Sequence, residues 1–66
     1  MNANMLLAEI KLKGYTMNKF LSEIRMPKGT WSKKIRGITE FHRDEIQNMI
    51  AVLNLDDDKV IRIFFN

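Results

Sequence analysis

The side chains best suited to chemistry lie together in the segment KGTWSKKIR, residues 28–36. At about 100° per residue, Trp31 and Ile35 fall on one face of a helix. The remaining surface is cationic, small or hydroxyl-bearing, and consists of Gly29, Lys33 and Arg36, flanked by Lys28, Thr30, Ser32 and Lys34. Such a helix is anchored in a core on its aromatic side, and its other side suits the groove of a polyanion.

The charge of the chain is concentrated around the same segment. Residues 11–36 hold eight Lys or Arg and one acid, Glu23, so they carry +7, which leaves −4 on the remainder of a chain with net charge +3. This separation indicates one face for a polyanion. Ordinary surface solvation is the alternative explanation, and the concentration of charge in one structural unit disfavours it.

Residues for catalysis or metal binding are scarce. His42 is the only histidine, and the chain has no cysteine, so no Ser/His/Asp or Cys/His arrangement is available for nucleophilic catalysis. Asp56, Asp57 and Asp58 could suggest a cation site, but without the glycine and distal Glu of a calcium loop they fit a helix cap better. We therefore expect a protein that is not an enzyme and that uses no cofactor or metal.

Five short helices are expected to position the cationic segment. Apolar periodicity and end signals predict them over residues 4–13, 17–24, 27–37, 43–53 and 57–65. Thr16 and Asp56 are expected N-caps, and Gly14 is an expected left-handed end of the first helix. Pro27 is placed at the first position of the third helix, where its missing N–H costs nothing.

The apolar stripes of these helices predict one common core. Its expected members are Leu6, Ile10, Phe20, Ile24, Trp31, Ile35, Phe41, Ile46, Ile50, Leu53, Val60 and Phe64. Ile38 and Phe41 are expected to turn inward from the loop after the third helix. Glu9 and Lys13, at i and i+4, are expected to form an ion pair on the first helix.

Length and composition limit the remaining possibilities. A chain of 66 residues makes one domain and buries only about 60% of its unfolded surface. Its longest apolar runs are far shorter than the ~20 residues of a membrane span. The first ten residues, MNANMLLAEI, lack the basic segment and cleavage site of a signal peptide. We expect a soluble, cytoplasmic protein without membrane contact.

Residues 16–37 resemble the helix-turn-helix of the phage Cro and repressor family, as found in small regulators of phages from Gram-positive hosts. Gly14, Tyr15 and Thr16 match the Gly-aromatic-Thr end of the first helix in that family, and Arg36 and Gly37 match the end of the third. The similarity continues without gaps through Thr39–Phe41, Asp44–Ile46 and Val52–Asp56.

Four positions depart from the family pattern. Leu21 stands where a small Ala is usual, and Arg25 stands where the turn usually has Gly. Met17 replaces a Gln that touches phosphate, and Pro27 replaces a capping Ser. If Arg25 takes the positive φ of the usual glycine, the strain costs on the order of 1 kcal/mol.

The resemblance implies an all-α, five-helix, lambda-repressor-like domain over residues 1–66 that binds double-stranded DNA sequence-specifically as a transcriptional regulator, with the third helix in the major groove. By position in that motif, the base contacts are Lys28, Gly29, Thr30 and Lys33. The implied phosphate contacts are Asn18, Lys19, Ser32, Lys34 and Arg36.

One helix reads only a few base pairs, so useful specificity requires a dimer on a two-fold site. The candidate surface is the C-terminal region with Ile61, Ile63 and Phe65, unless all three side chains dock inward. A different function class is a helix-turn-helix module that binds another regulator instead of DNA, as an antirepressor does. RNA binding is a third possibility, although Trp31, the large aromatic beside the basic patch, is expected to face inward and offers no stacking platform.

Overall fold

The computed structural model describes residues 1–65, and within them the chain is all-helical. The five helices are α1 (Ala3–Leu12), α2 (Met17–Glu23), α3 (Lys28–Ile35), α4 (Arg43–Leu53) and α5 (Asp57–Phe64). The expected all-α fold is therefore confirmed, with each helix boundary within two residues of its predicted position. None of the helices in the described part of the chain is long and apolar enough to cross a membrane.

Two helices begin at the N-cap residues that the sequence predicts. The Thr16 hydroxyl accepts a hydrogen bond from the Lys19 N–H at 3.2 Å, and the Asp56 carboxylate accepts one from the Lys59 N–H at 2.9 Å. Each bond satisfies an amide that has no partner within its helix. Pro27 differs from its predicted position, because its ψ of 147° makes it the N-cap of α3 and not the first helical residue.

The apolar stripes meet in one core. Its buried members are Leu6, Ile10, Phe20, Leu21, Ile24, Met26, Trp31, Met49, Leu53, Leu55 and Ile63. Six of the twelve predicted core residues are in this set, and the other six pack against it half-buried: Ile35, Phe41, Ile46, Ile50, Val60 and Phe64. Ile38 was wrongly predicted to turn inward, since its side chain is exposed beyond the end of α3.

The first and last helices, α1 and α5, lie against each other and run antiparallel. The Asn2 N–H donates to the Ile63 carbonyl at 2.7 Å, and the Lys59 Nζ lies 2.8 Å from the buried Glu9 carboxylate. Glu9 of α1 therefore pairs with Lys59 of α5, and the predicted pair with Lys13 is wrong. The hydrogen bond to Glu9 raises the pKa of Lys59 above its ordinary value of 10.5. The ion pair therefore stabilises the fold fully below pH 10.5, and this contribution is lost as the pH rises through the raised pKa.

A row of aromatic rings connects the loop before α2 to the loop after α3. Tyr15 and Phe20 are 6.0 Å apart between ring centroids, Phe20 and Trp31 are 5.7 Å apart, and Trp31 and Phe41 are 5.5 Å apart. All three pairs meet edge to face, the geometry that the ring quadrupoles favour. Trp31 is the third of these four rings and contacts two of the others, so it connects α3 to α2 and to the loop after α3.

The turn between α2 and α3 contains a strained residue. Arg25 has a φ of 55°. This left-handed conformation agrees with the expectation drawn from the glycine that the resembled family usually has at this position of the turn. The Arg25 N–H donates to the Ser22 carbonyl at 3.2 Å, which holds the backbone in this conformation. The strain of a non-glycine residue there is on the order of 1 kcal/mol.

Replacing Arg25 by glycine is expected to raise the free energy of unfolding by up to about 1 kcal/mol, because glycine adopts this φ without strain. Urea denaturation followed by circular dichroism measures the change. Arg36→Gly is a matched control, since Arg36 has a φ of −85° and gains nothing from glycine. A loss of stability in both variants would contradict the assignment of strain to Arg25.

Candidate nucleic-acid interface

Helix α3 presents two different faces. Trp31 is buried between Phe20 and Phe41, which confirms the predicted aromatic anchor. Roughly opposite it on the helix, Gly29 and Lys33 are exposed. Lys28 and Thr30, in the first turn, are exposed as well, so all four residues expected to contact bases are accessible from solvent.

The loop after α3 forms the second wall of an open groove beside this face. Gly29, Thr30 and Lys33 line one side of the groove, and Glu40 and His42 line the other. Pro27, Lys34 and Thr39 complete its lining. The loop residues were not predicted as part of the site, and no periodic signal could have found them, because their position depends on how the chain turns back after α3.

Gly29 is not required by packing inside the domain. A Cβ at this position would meet no atom within 4 Å, and the φ of Gly29 is not positive. Neither backbone strain nor a close internal neighbour therefore explains the glycine. The open space in front of it leaves the backbone of the first turn of α3 accessible to another molecule.

Three exposed lysines on or near this face have no carboxylate partner in the described residues 1–65. Within residues 1–65, none of the ion pairs involves Lys19, Lys28 or Lys33. Glu40 is the one acidic side chain that lines the groove. The positive potential of the face is therefore largely uncompensated.

The five side chains expected to contact phosphates differ in their exposure. Asn18 and Lys19 at the start of α2 and Arg36 at the end of α3 are exposed. Ser32 is half-buried, and its carbonyl accepts a hydrogen bond from the Arg36 Nε at 3.1 Å. Lys34, the fifth residue, is in a different environment.

Lys34 does not have the exposed position that its predicted contact with phosphate requires. Its side chain is only 6% exposed, and its Nζ lies 3.1 Å from the Glu45 Oε1 and 2.9 Å from the Glu40 carbonyl oxygen. The ammonium is also 6.0 Å from the centroid of the Phe41 ring. Three residues after Trp31, Lys34 lies about 60° from the indole around the helix, on the buried side, so it is not available to phosphate.

The Glu45 carboxylate receives two donors at one oxygen. Besides Lys34, the His42 N–H donates to Oε1 at 2.7 Å, which closes the N-terminus of α4. Burial raises the pKa of Glu45, but the hydrogen bonds from the His42 amide and from Lys34 outweigh burial, so that the pKa lies below its ordinary value of 4.5. The folded state therefore favours the ionised carboxylate.

Stability is expected to fall in acid partly through Glu45. A carboxylate with a lowered pKa stabilises the fold fully above its ordinary pKa of 4.5, and this contribution is lost as the pH falls through the folded-state value. Urea denaturation at neutral and at acidic pH should show a smaller acid loss for Glu45→Gln than for the wild type. Glu23→Gln, at an exposed residue, should retain the wild-type acid loss; an unchanged loss in Glu45→Gln would contradict the prediction.

The three candidate dimer residues of the C-terminal region do not share one environment. Ile63 is completely buried in the domain's own core, whereas Ile61 is 58% exposed and Phe65 is 71% exposed. Ile63 is therefore removed from the candidate surface. Ile61 lies on α5 and Phe65 directly follows it, and the Phe65 N–H donates to the Ile61 carbonyl at 3.0 Å.

Comparison with known proteins adds no further assignment. No protein-family model matches the chain, and neither a curated protein nor a solved structure matches it significantly.

Proposed function

We propose that this protein binds double-stranded DNA sequence-specifically and regulates transcription as a Cro or repressor protein does, with α3 entering the major groove. The observation that supports this function is the two-sided α3: Trp31 is buried, while Lys28 and Lys33 are exposed without ion-pair partners in residues 1–65. A helix held in this way can be placed in a groove without unfolding any part of the core.

The chemistry of each exposed side chain suggests its role. Lys28 and Lys33 donate to guanine O6 and N7, and the Thr30 methyl group contacts a thymine methyl. Gly29 allows the backbone to approach the bases closely, which agrees with the open space in front of it. These four residues form the proposed base-reading face.

Phosphate contacts hold that face in register. Asn18 and Lys19 at the start of α2 and Arg36 at the end of α3 are exposed, and we assign them to the DNA backbone, with Ser32 beside them. Several ionic contacts per subunit make binding weaken steeply as salt rises.

A mobility-shift titration of the wild-type protein against random-sequence duplex DNA at low and at high salt tests the function. Retardation at low salt that decreases at high salt is the expected result, because the basic face replaces condensed counterions. No retardation at any salt would contradict DNA binding and would favour the alternative, a module that binds another protein.

The proposed regulator acts as a homodimer, because a two-fold pair of α3 helices about 34 Å apart reads two half-sites on one side of the duplex. The exposed apolar pair Ile61 and Phe65 is the proposed contact with the second copy. Ile61→Asp should shift sedimentation toward the monomer, since a charge would be buried at the contact. Leu12→Asp, at an exposed leucine of α1, is the control; equal sedimentation of all three proteins would contradict this surface.

A further inference from the structure

We infer that Lys34 is a positioning residue for DNA recognition: its buried ammonium ties α3 to the loop that follows it and to α4, and so sets the angle at which the base-reading face is presented. This inference rests on the proposed function. It assigns to Lys34 a role different from the phosphate contact that its place in the sequence suggested.

The ammonium of Lys34 joins three parts of the chain. Lys34 belongs to α3, the Glu40 carbonyl that accepts its hydrogen bond at 2.9 Å belongs to the loop, and the Glu45 carboxylate at 3.1 Å belongs to α4. The Phe41 ring, which also packs against Trp31, lies beside the ammonium. One side chain therefore couples the orientation of α3 to the position of its neighbours.

The path of the backbone explains how Glu40 reaches Lys34. Gly37 has a φ of 81°, and the Ile38 N–H donates to the Lys33 carbonyl at 2.9 Å, so the chain reverses direction at the end of α3. The loop then lies beside α3, since Glu40 and His42 line the same groove as Gly29 and Thr30. The Lys34 hydrogen bond to the Glu40 carbonyl holds the loop in this position.

The contacts of Lys34 lie at the edge of the groove beside the base-reading face. Glu40 lines that groove opposite Gly29, Thr30 and Lys33, so a shift of the loop changes the width of the groove. A buried ion pair is a weak source of stability compared with apolar side chains of similar size, and geometric specificity is one use for it. Lys34 thus affects DNA through the placement of other groups, and it touches no DNA itself.

A double-mutant cycle of Lys34→Met and Glu45→Gln separates positioning from a phosphate contact. Glu45→Gln keeps an acceptor for the His42 N–H, and the double variant leaves no unpaired buried charge. The probes are a duplex recovered by binding-site selection with the wild-type protein and a random-sequence duplex. Urea denaturation of the same four proteins reports stability, and Lys19→Met, at an exposed lysine of α2, is the control for a phosphate contact.

Positioning predicts that Lys34→Met loses about tenfold affinity for the selected duplex, with little loss on random DNA and an unchanged salt slope. In the cycle, the two substitutions should be coupled in the unfolding constant by at least about threefold. The double variant should recover stability but should not recover the tenfold loss of affinity for the selected duplex. If Lys34 had a purely structural role, affinity would return together with stability. Lys19→Met should weaken both duplexes equally and reduce the salt slope by about one.

Three results would overturn the inference. Lys34→Met could behave like Lys19→Met on both duplexes, which would restore the phosphate contact and leave the proposed function intact. The double variant could regain both stability and selected-site affinity, which would make the pair purely structural. Failure of the wild-type protein to retard any duplex would overturn the proposed function together with the inference.

Discussion

Trp31→Ala is expected to unfold the domain. Removing a buried large aromatic costs about 3–5 kcal/mol, and a single core in a chain of this size rarely supplies more than about 3–5 kcal/mol in total. The indole contacts Phe20 and Phe41 edge to face, so its loss opens the core between α2 and the loop after α3. Circular dichroism of the variant at room temperature should show largely lost helicity.

Two further substitutions make the Trp31 experiment specific. Trp31→Phe keeps an aromatic ring in the same place and should remain folded with reduced stability. Leu12→Ala removes an exposed side chain and should leave the unfolding midpoint close to the wild-type value. A folded and stable Trp31→Ala protein would show that α3 is not held by its indole, and the orientation of the proposed base-reading face would then be wrong.

Lys33→Ala is expected to reduce affinity for the selected duplex by about 1–3 kcal/mol, the usual worth of one good base contact. The loss on random-sequence DNA should be clearly smaller, since a base contact contributes little to non-specific binding. Lys33 is exposed and has no ion-pair partner in the described chain. The fold should therefore be unchanged, which circular dichroism checks.

The comparison with a phosphate contact decides the role of Lys33. Lys19→Ala, measured on the same two duplexes, should weaken both equally and reduce the salt slope by about one. If Lys33→Ala gives the same pattern, Lys33 contacts phosphate. If it changes neither duplex, Lys33 lies outside the interface, and the groove between α3 and the loop has another role.

Interactions within a few residues were predictable from the sequence. Thr16, Asp56 and Gly14 mark helix ends because capping depends on bonds that reach no further than five residues along the chain. The left-handed Arg25 followed from comparison with a glycine in the same turn. The sequence also predicts Trp31 as the anchor of α3, because the core is the apolar environment in which the one large aromatic of a cationic helix can be buried.

Contacts between distant segments were not predictable in the same way. The periodicity of α3 places Lys33 opposite Trp31 and Lys34 to one side of it, but it did not predict that Glu40 and Glu45 enclose the Lys34 ammonium. Glu9 pairs with Lys59, fifty positions later, in preference to the neighbour expected on its own helix. In each case the partner is brought close by packing of another element, and no local pattern records that approach.

The sequence by itself determined five helices, the N-caps Thr16 and Asp56 and the aromatic anchor of α3, because these depend on backbone geometry and on neighbours in the chain. Only the tertiary structure decided that Lys34 is enclosed by Glu40 and Glu45, that Ile63 belongs to the core, and that the loop after α3 forms the second wall of the groove. The physical reason is that burial depends on which surfaces meet when the helices pack, and a helical period gives the direction of a side chain but not what covers it.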